Sequence, residues 1–367
     1  MEQNIIYVGL DVSKQDIVTG VLLPGQDRVN ESRKIPNNPE SVAKEVRHLA
    51  LKGTLVFIYE AGPFGYDLYR QIMKLGYRCA VVAPGLIPSR PCDRVKTDRR
   101  DAEKLARLYR AGELTKIRVP ECQEEAARDL VRIREDIMTD QMRARNRLSK
   151  FLLRQGRICP HKKTMGKNYR SWLKSQRFEW PALQESFEAN MRALDEISSH
   201  LDSLNQKIEI MAEEKPYRDI VLNLRCLKGI DTLSAVTLAV ETQDFRRFES
   251  AAGFMSFTGL VSSEHSSGQS VRRGSITKAG NAHMRRVLVE AAWSSRYRPT
   301  TSQVLSVRRK ERPDTVIQIA RKAQARLHRK YWRLVNRGKS SAVAVTAAAR
   351  ELAGFIWAIG RYTALGS

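Results

Sequence analysis

The first third of the chain alternates between short continuous apolar runs and stretches of helical period. Ile5–Leu10 is an apolar run that ends on Asp11, and Ile17–Leu23 is a second, closed by a Pro24-Gly25 turn. Val29–Ile35 completes a meander. From Pro39 to Leu51 the apolar spacing turns helical and stops at Gly53, and Leu55–Tyr59 is again a continuous run, ending on Glu60. Tyr66–Leu75 is helical with Gly76 as its cap, and Arg78–Val82 is a strand stopped by Pro84. Strands in succession, then strands alternating with helices, predict a mixed sheet covered by helices on both faces.

Beyond this the pattern is helical. A helix is predicted from the Lys96–Asp101 segment to about Gly112, and a longer one from Glu121 to Leu153, with neither Gly nor Pro until Gly156. A break at Cys159-Pro160 leads into a stretch, His161 to Trp180, that mixes Lys162, Lys163, Lys167, Arg170 and Lys174 with Tyr169 and Trp172. That mixture suits nucleic-acid backbone contact with base stacking, and an ordinary surface connection equally well. Leu194, Ile197, Leu201, Leu204, Ile208 and Met211 recur at spacings of 3, 4, 3, 4 and 3, a short coiled-coil seam. The seam has two candidate partners, the helix from Glu121 or another subunit. Leu224–Val236 reads as helix, Gly-containing turn and helix, either a phosphate-facing hairpin or a plain packed pair. Phe245–Phe257 is predicted as one apolar helix and Asn281–Ser294 as another. Ala342–Ile359 is apolar but interrupted by Arg350 and Glu351, so it is predicted as a buried helix and not a membrane span. The expected architecture is therefore α/β plus α: a sheet domain over 1–118, a helical, coiled-coil arm over 119–216 and a mostly helical domain over 217–367.

Charge narrows the partners. Lys plus Arg number 64 against 40 Asp plus Glu, a formal net charge of +24, which points to a polyanion and most simply to nucleic acid. Twelve of these cations fall between Arg308 and Lys339 against only Glu311 and Asp314, and Arg321, Lys322, Arg326, Arg329, Lys330 and Arg333 recur at helical intervals. No lipidation motif or cationic amphipathic helix with aromatic anchors argues for a membrane partner. The first residues lack the pattern of a signal peptide, and five scattered cysteines (79, 92, 122, 159, 226) lack zinc-ligand spacing, so reduced thiols in a cytoplasmic protein are expected.

Two sets of residues carry candidate chemistry. Asp11 and Glu60 end apolar strands, where open sheets place ligands, and Asp98 and Asp101 are three apart on one face of a helix start. Converging carboxylates repel, and a divalent cation with oxygen ligands neutralises them; separately, each could simply cap a helix or end a strand. The second set is Ser266–Asn281, where four serines and a threonine lie among three glycines and the cations Arg272, Arg273 and Lys278, with Arg285 and Arg286 close behind. A hydroxyl held there could attack a phosphodiester, and the same composition also describes a solvated loop.

The chain resembles the DEDD transposases of insertion-sequence family 110, particularly its 1111 subgroup. The resemblance rests on GLDVSK at 9–14, YEAGPFGY at 59–66, KTDRRDAEKLARL at 96–108 and LKGIDTLSA at 227–235. It continues through GFMSFTGLVSSEHSSG at 253–268, RRGSITKAGNAHMRRVLVEAAW at 272–293 and RGKSSAVAVTAAARELAGFIWAIG at 337–360. It implies a RuvC-like, RNase H-type domain whose acidic tetrad falls on Asp11, Glu60, Asp98 and Asp101, binding magnesium or manganese. It also implies a C-terminal transposase domain whose nucleophilic serine falls on Ser267, with Ser266 and Ser270 as neighbouring registers. The implied reaction is excision and insertion of a mobile element through a covalent phosphoserine, with an element-encoded noncoding RNA as guide and DNA ends and target as substrates. The cations Arg272, Arg273, Lys278, Arg285 and Arg286 are the expected phosphate contacts, in a homo-oligomer (dimer or tetramer) that shares its site between subunits. The alternatives are a junction-resolving nuclease that uses water at the tetrad, and a non-catalytic nucleic-acid-binding protein.

Overall fold

A computed structural model describes residues 4–29, 31–88, 97–161, 166–264, 267, 270 and 272–366. The chain folds as two compact units, Met1–Pro120 and Glu121–Ser367.

The first unit holds strands β1 (Ile5–Val12), β2 (Asp16–Leu22) and β3 (Glu31–Pro36), helix α1 (Pro39–Ala50), strand β4 (Thr54–Glu60), helix α2 (Asp67–Lys74), strand β5 (Arg78–Val82) and helix α3 (Asp98–Arg110). Their sheet has the order β3-β2-β1-β4-β5, with β1, β2 and β3 antiparallel and β4 parallel to both β1 and β5. Alternation along the strands assigns the two faces. Ile6, Val8, Leu10, Leu55, Phe57 and Tyr59 form one core with Val42, Val46 and Leu49 of α1 and Ile72 of α2. Val56, Ile58 and Val82 form another with Leu105 of α3. Asn38 starts α1 by accepting the Ser41 N–H at 2.8 Å, and Thr97 caps α3 on Arg100.

The second unit opens with α4 (Cys122–Arg154), α5 (Lys167–Ser175) and α6 (Pro181–Glu213). The predicted seam packs within the chain: Leu194, Leu201, Leu204 and Ile208 are buried as α6 runs back along α4. Tyr169 and Trp172 pack with Phe151, Leu173 and Phe187 at the far end of this pair, so the aromatic half of the mixed stretch builds a small core. Lys162 and Lys163 lie outside the described residues.

Next come α7 (Arg218–Leu224), α8 (Thr232–Thr242), α9 (Ala251–Phe257), the short strands β6 (Ser262–Glu264) and β7 (Arg273–Ile276), and then α10 (Ala282–Ala292), α11 (Gln303–Arg309), α12 (Asp314–Val335) and α13 (Ser341–Gly366). Phe245–Phe257 is not the single helix its apolar pattern predicts. A 3-10 turn over Phe245–Arg247 is followed by extended backbone, and Ser250 starts α9 by accepting the Gly253 N–H at 3.2 Å. Asp244 and Ser250 bond to nearby backbone N–H groups and so interrupt the helical ladder. Helix α13 is the single helix among the described residues long and apolar enough to cross a membrane by length and composition. Here Ala344, Val345, Ala348, Ala349, Leu352 and Ile356 are buried in the core, and the helix packs on α7, α9, α10 and α12.

Candidate active site

Glu60 and Asp11 are brought together by strand pairing. The parallel register of β1 with β4 runs to Leu10 opposite Tyr59, so Asp11 and Glu60 are the next residues on adjacent strands. Both fall on the sheet face opposite α1 and α2, the face that α3 covers, because they follow Gly9 and Ile58 at the two-residue period. Helix α3 crosses this face at Gly9 and Gly20, where only a missing side chain lets the Ala102 backbone approach. Asp98 and Asp101 precede that crossing point in the first turn of α3. Asp98 also acts electrostatically on Lys34, whose amine is raised above its ordinary value mainly by its 2.9 Å ion pair with Asp16.

All four tetrad carboxylates thus belong to one sheet face and the helix that lies on it. Four hard oxygen donors of this kind suit magnesium or manganese. Among the described residues, no three acidic, His or Cys side chains are gathered tightly enough to form a ready-made metal cage. The donor chemistry and strand placement fit such an ion, and closure of the carboxylates around it is not already built.

In the second unit the serine-rich stretch is a β-hairpin rather than an open loop. Strands β6 and β7 pair antiparallel, Ser262 opposite Ile276 and Glu264 opposite Arg273. Beyond them Ser267 and Ser270 exchange both backbone hydrogen bonds, at 3.1 and 3.0 Å, and both serines are exposed. Ser266, the neighbouring candidate, lies outside the described residues. The foot of the hairpin is pinned by Thr277 N–H to Val261 O at 2.8 Å and Lys278 N–H to Gly259 O at 3.1 Å. Gly259, at φ +66, lies against the Arg285 guanidinium, and Gly280 packs on the Phe257 carbonyl, so both positions need a backbone without Cβ.

The five expected phosphate cations divide into two groups. Arg272 and Lys278 are exposed and have no ion-pair partner among the described residues, and Arg273 reaches Glu264 across the hairpin at 3.3 Å. Arg285, by contrast, donates to the Thr258 carbonyl at 3.0 Å and holds the hairpin foot. Arg286 is tied to Glu135 and to Glu290.

Arg286 belongs to a network for which charge counting provides no warning. Helix α4 carries Arg132 and Glu135; Glu135 meets the start of α10 directly, and Arg132 meets it through Glu241 of α8. The buried Glu241 of α8 accepts from Arg132 at 2.8 and 3.0 Å and from Asn281 at 2.7 Å. Glu135 accepts from His283 and Arg286. Burial acts to raise the Glu135 carboxyl, but hydrogen bonds from His283 and Arg286 outweigh it and hold the group at about 2. Burial opposes ionisation of Glu241 too, and its bonds from Arg132 and Asn281 leave it below the usual carboxylate range. The hydrogen bond to Glu135 raises His283 against the effect of burial. Asn281 is also the cap of α10, accepting the Met284 N–H at 2.9 Å. The network therefore fixes the α10 start, five residues after the hairpin ends at Ile276, to the long helix α4. The signal in the sequence was an acid inside the apolar run of α8 and another four residues after buried Val131.

A five-stranded sheet of order 3-2-1-4-5, with its first three strands antiparallel and carboxylates at the ends of its first and fourth, is RNase H-like. A DEDD transposase family model matches residues 8–155, and a model described as the transposase IS116/IS110/IS902 family matches residues 222–305. "Putative transposase y4qE" of Sinorhizobium fredii is 42% identical over 361 residues, covering 97% of this chain and 88% of that protein. "Transposase for insertion sequence element IS1533" of Leptospira borgpetersenii is 34% identical over 333 residues, covering 89% of this chain and 95% of its own length. The chain belongs to the IS116/IS110/IS902 family of transposases, and it is a DNA transposase.

Proposed function

We propose that this transposase excises and inserts its element through a covalent link between DNA and Ser267, assisted by Asp11, Glu60, Asp98 and Asp101. The observation that carries the reading is the exposed Ser267, backbone-paired with Ser270 beyond β6 and β7, with Arg272 and Lys278, exposed and without an ion-pair partner among the described residues, flanking β7. In the step itself the Ser267 hydroxyl loses its proton and its Oγ–P bond forms as the bond from phosphorus to one deoxyribose oxygen breaks. The leaving oxygen takes up a proton. One phosphate ester replaces another, so the bond energy is kept for rejoining. Arg272, Arg273 and Lys278 neutralise the phosphate oxygens, while Arg285 and Arg286 act through the hairpin foot and the α10 start. The tetrad would hold magnesium or manganese, which supplies charge neutralisation at the phosphate and lowers the pKa of a bound oxygen.

The protein acts on element ends and target DNA in the cytoplasm, as a dimer or tetramer, with an element-encoded noncoding RNA as guide. A guide would read sequence by base pairing and leave the protein to hold backbone. A three-part division at 118 and 216, with the arm built into the second compact unit, would give the tetrad, the arm and the serine separate tasks.

The test is an adduct assay on denaturing gels, combining protein, labelled element-end DNA, magnesium and RNA transcribed from the element flanks. Wild type, Ser267→Ala and Asp11→Ala are run side by side. A protein–DNA band present only in wild type is expected. Cut DNA without any adduct, still produced by Ser267→Ala, would replace this reading with a junction nuclease that uses water.

A further inference from the structure

Away from the serine hairpin, the turn after α10 and the last turn of α12 present three aromatic rings to solvent: Trp293 is 37% exposed, Tyr297 56% and Trp332 42%. Large rings are usually covered unless they have a partner. Trp332 and Tyr297 are held at their polar edges. Trp332 Nε1–H donates to the Arg296 carbonyl at 3.0 Å, so its hydrogen-bonding edge is satisfied and what remains open is ring surface. His328 bonds the Ser295 carbonyl at 3.0 Å and packs edge-on against Trp332. The Arg296 guanidinium lies 4.6 Å from the Tyr297 centroid and 5.8 Å from that of Trp293, and it bonds the Tyr297 hydroxyl. Lys228, from the turn between α7 and α8, donates to the Arg298 carbonyl at 2.8 Å and sits 6.0 Å from the Tyr297 ring.

Charge around the rings has one sign. On α12 the basic face divides, because Arg326 and Lys330 are both neutralised by Glu351, at 2.7 and 3.3 Å. Arg321, Lys322, Arg329 and Arg333 have no ion-pair partner among the described residues, and all are exposed. At 100° per residue, Arg321, Lys322, Arg329 and Arg333 lie within about 100° of Trp332 around the helix. Among the described residues, no acidic side chain forms an ion pair with Arg296 or joins the ring contacts of Trp293, Tyr297 and Trp332. A second copy of this chain, itself at +24, is a poor electrostatic match for such a surface. An acidic, aromatic-faced ligand matches it on both counts.

The geometry points to a stacking platform for unpaired DNA bases, with Trp332 and Tyr297 as the faces and Arg296, Arg298, Arg329 and Arg333 on the phosphates. Base-on-ring stacking tolerates any sequence, since every base has a π face, and it needs bases freed from a duplex. Strand exchange creates such bases. The site is distinct from the Ser267 hairpin and its binding does not need the covalent step.

The test therefore uses the full-length Ser267→Ala protein, so that strand cleavage cannot alter the result. Fluorescence anisotropy is read with a labelled DNA single strand, the same strand with its bases replaced by abasic sites, the matching duplex and the matching RNA strand. The single strand should bind at least about 5-fold more tightly than the abasic strand, the low end of one stacked base. Trp332→Ala and Tyr297→Ala should erase that preference while changing duplex affinity less than about 2-fold, and Trp332→Phe should keep most of it. Thermal melts of each variant identify loss of fold, and the Phe variant keeps the test decisive if Trp332→Ala unfolds. Equal losses on all four ligands, or no preference for bases in the parent protein, would overturn the platform. A preference lost only on the RNA strand would reassign the surface to RNA and overturn its assignment to DNA.

Discussion

Replacing Gly9 by alanine should do more damage than any other single methyl group added to the first unit. A Cβ built there falls 1.9 Å from the Ala102 carbonyl oxygen, while separations under 3.0 Å are essentially never adopted. Relief requires α3 to lift by about 1.1 Å, the difference of those two distances, because the obstacle is backbone and no rotamer change removes it. Overpacking of this kind costs about 1–3 kcal/mol, and here the upper part of that range is expected. For a unit of this size that lowers the melting temperature by roughly 6–15 °C. Lifting α3 also carries Asp98 and Asp101 away from Asp11 and Glu60, and a displacement of about 1 Å at a reacting centre can cost ~100-fold in rate. Gly20, whose Cβ would lie 3.0 Å from the Ala102 carbonyl carbon, should show a smaller loss, and Gly85, with nothing within 4 Å, almost none. Calorimetry gives the stability order, and magnesium-dependent adduct formation gives the activity order. If Gly9→Ala melts with wild type, or forms adduct as fast, then α3 does not set the tetrad in the way argued above.

Glu241→Ala should destabilise the second unit by roughly 1–2 kcal/mol, since it removes the carboxylate that Arg132, itself 39% exposed, and Asn281 both bond, and urea unfolding measures it. The Glu135–His283 pair should make stability depend on pH in both directions. Glu135, depressed from 4.5 to about 2, contributes fully above about 4.5 and loses its contribution as pH falls through 2. His283, raised from 6.5, contributes fully below that value and loses its contribution as pH rises through its folded value. Unfolding midpoints should thus fall as pH rises above about 6.5 in wild type, and the fall should be smaller in His283→Gln. Arg272→Gln and Lys278→Gln should each reduce the salt dependence of DNA binding by about one counterion, whereas Arg286→Gln should first lower the melting temperature. Mixing Asp11→Ala with Ser267→Ala should restore recombination if subunits share the reaction, and the absence of rescue would exclude sharing.

Strands β1 and β4 were legible because each is nearly all apolar, and the four candidate carboxylates stood out because acids end those runs and open the later helix α3. What stayed hidden depends on distance along the chain. Gly9 reads as one more strand residue until α3 is laid across it. Arg285 and Arg286 read as phosphate ligands because charge is visible and partners are not: one holds a carbonyl 27 residues away, and the other an acid 151 residues away. The hairpin escaped because its strands are three and four residues long and polar, with no alternation to detect. Tyr169 and Trp172 misled in the opposite sense, being aromatic for the sake of a small core rather than for a base.

The pairing of α4 with α6 has a mechanical consequence. Its two apolar clusters are one at the base with Val131 and Ile208 and one at the tip with Leu148 and Phe187, and the interval between them mixes buried Leu201 and Leu204 with polar clasps. There Arg134 bonds Asn205 at 2.9 Å and Gln141 bonds Ser198 at 3.0 Å. Apolar contacts alone would let the helices creep past each other by a turn at little cost, whereas these clasps are lost at any other alignment. With about 1.5 Å per residue and 33 residues, α4 is a rod of roughly 50 Å whose stroke is locked. Whatever binds at its tip is held at a set span from its base, and a load applied there is delivered undamped to Arg132, Glu135 and the first turn of α10.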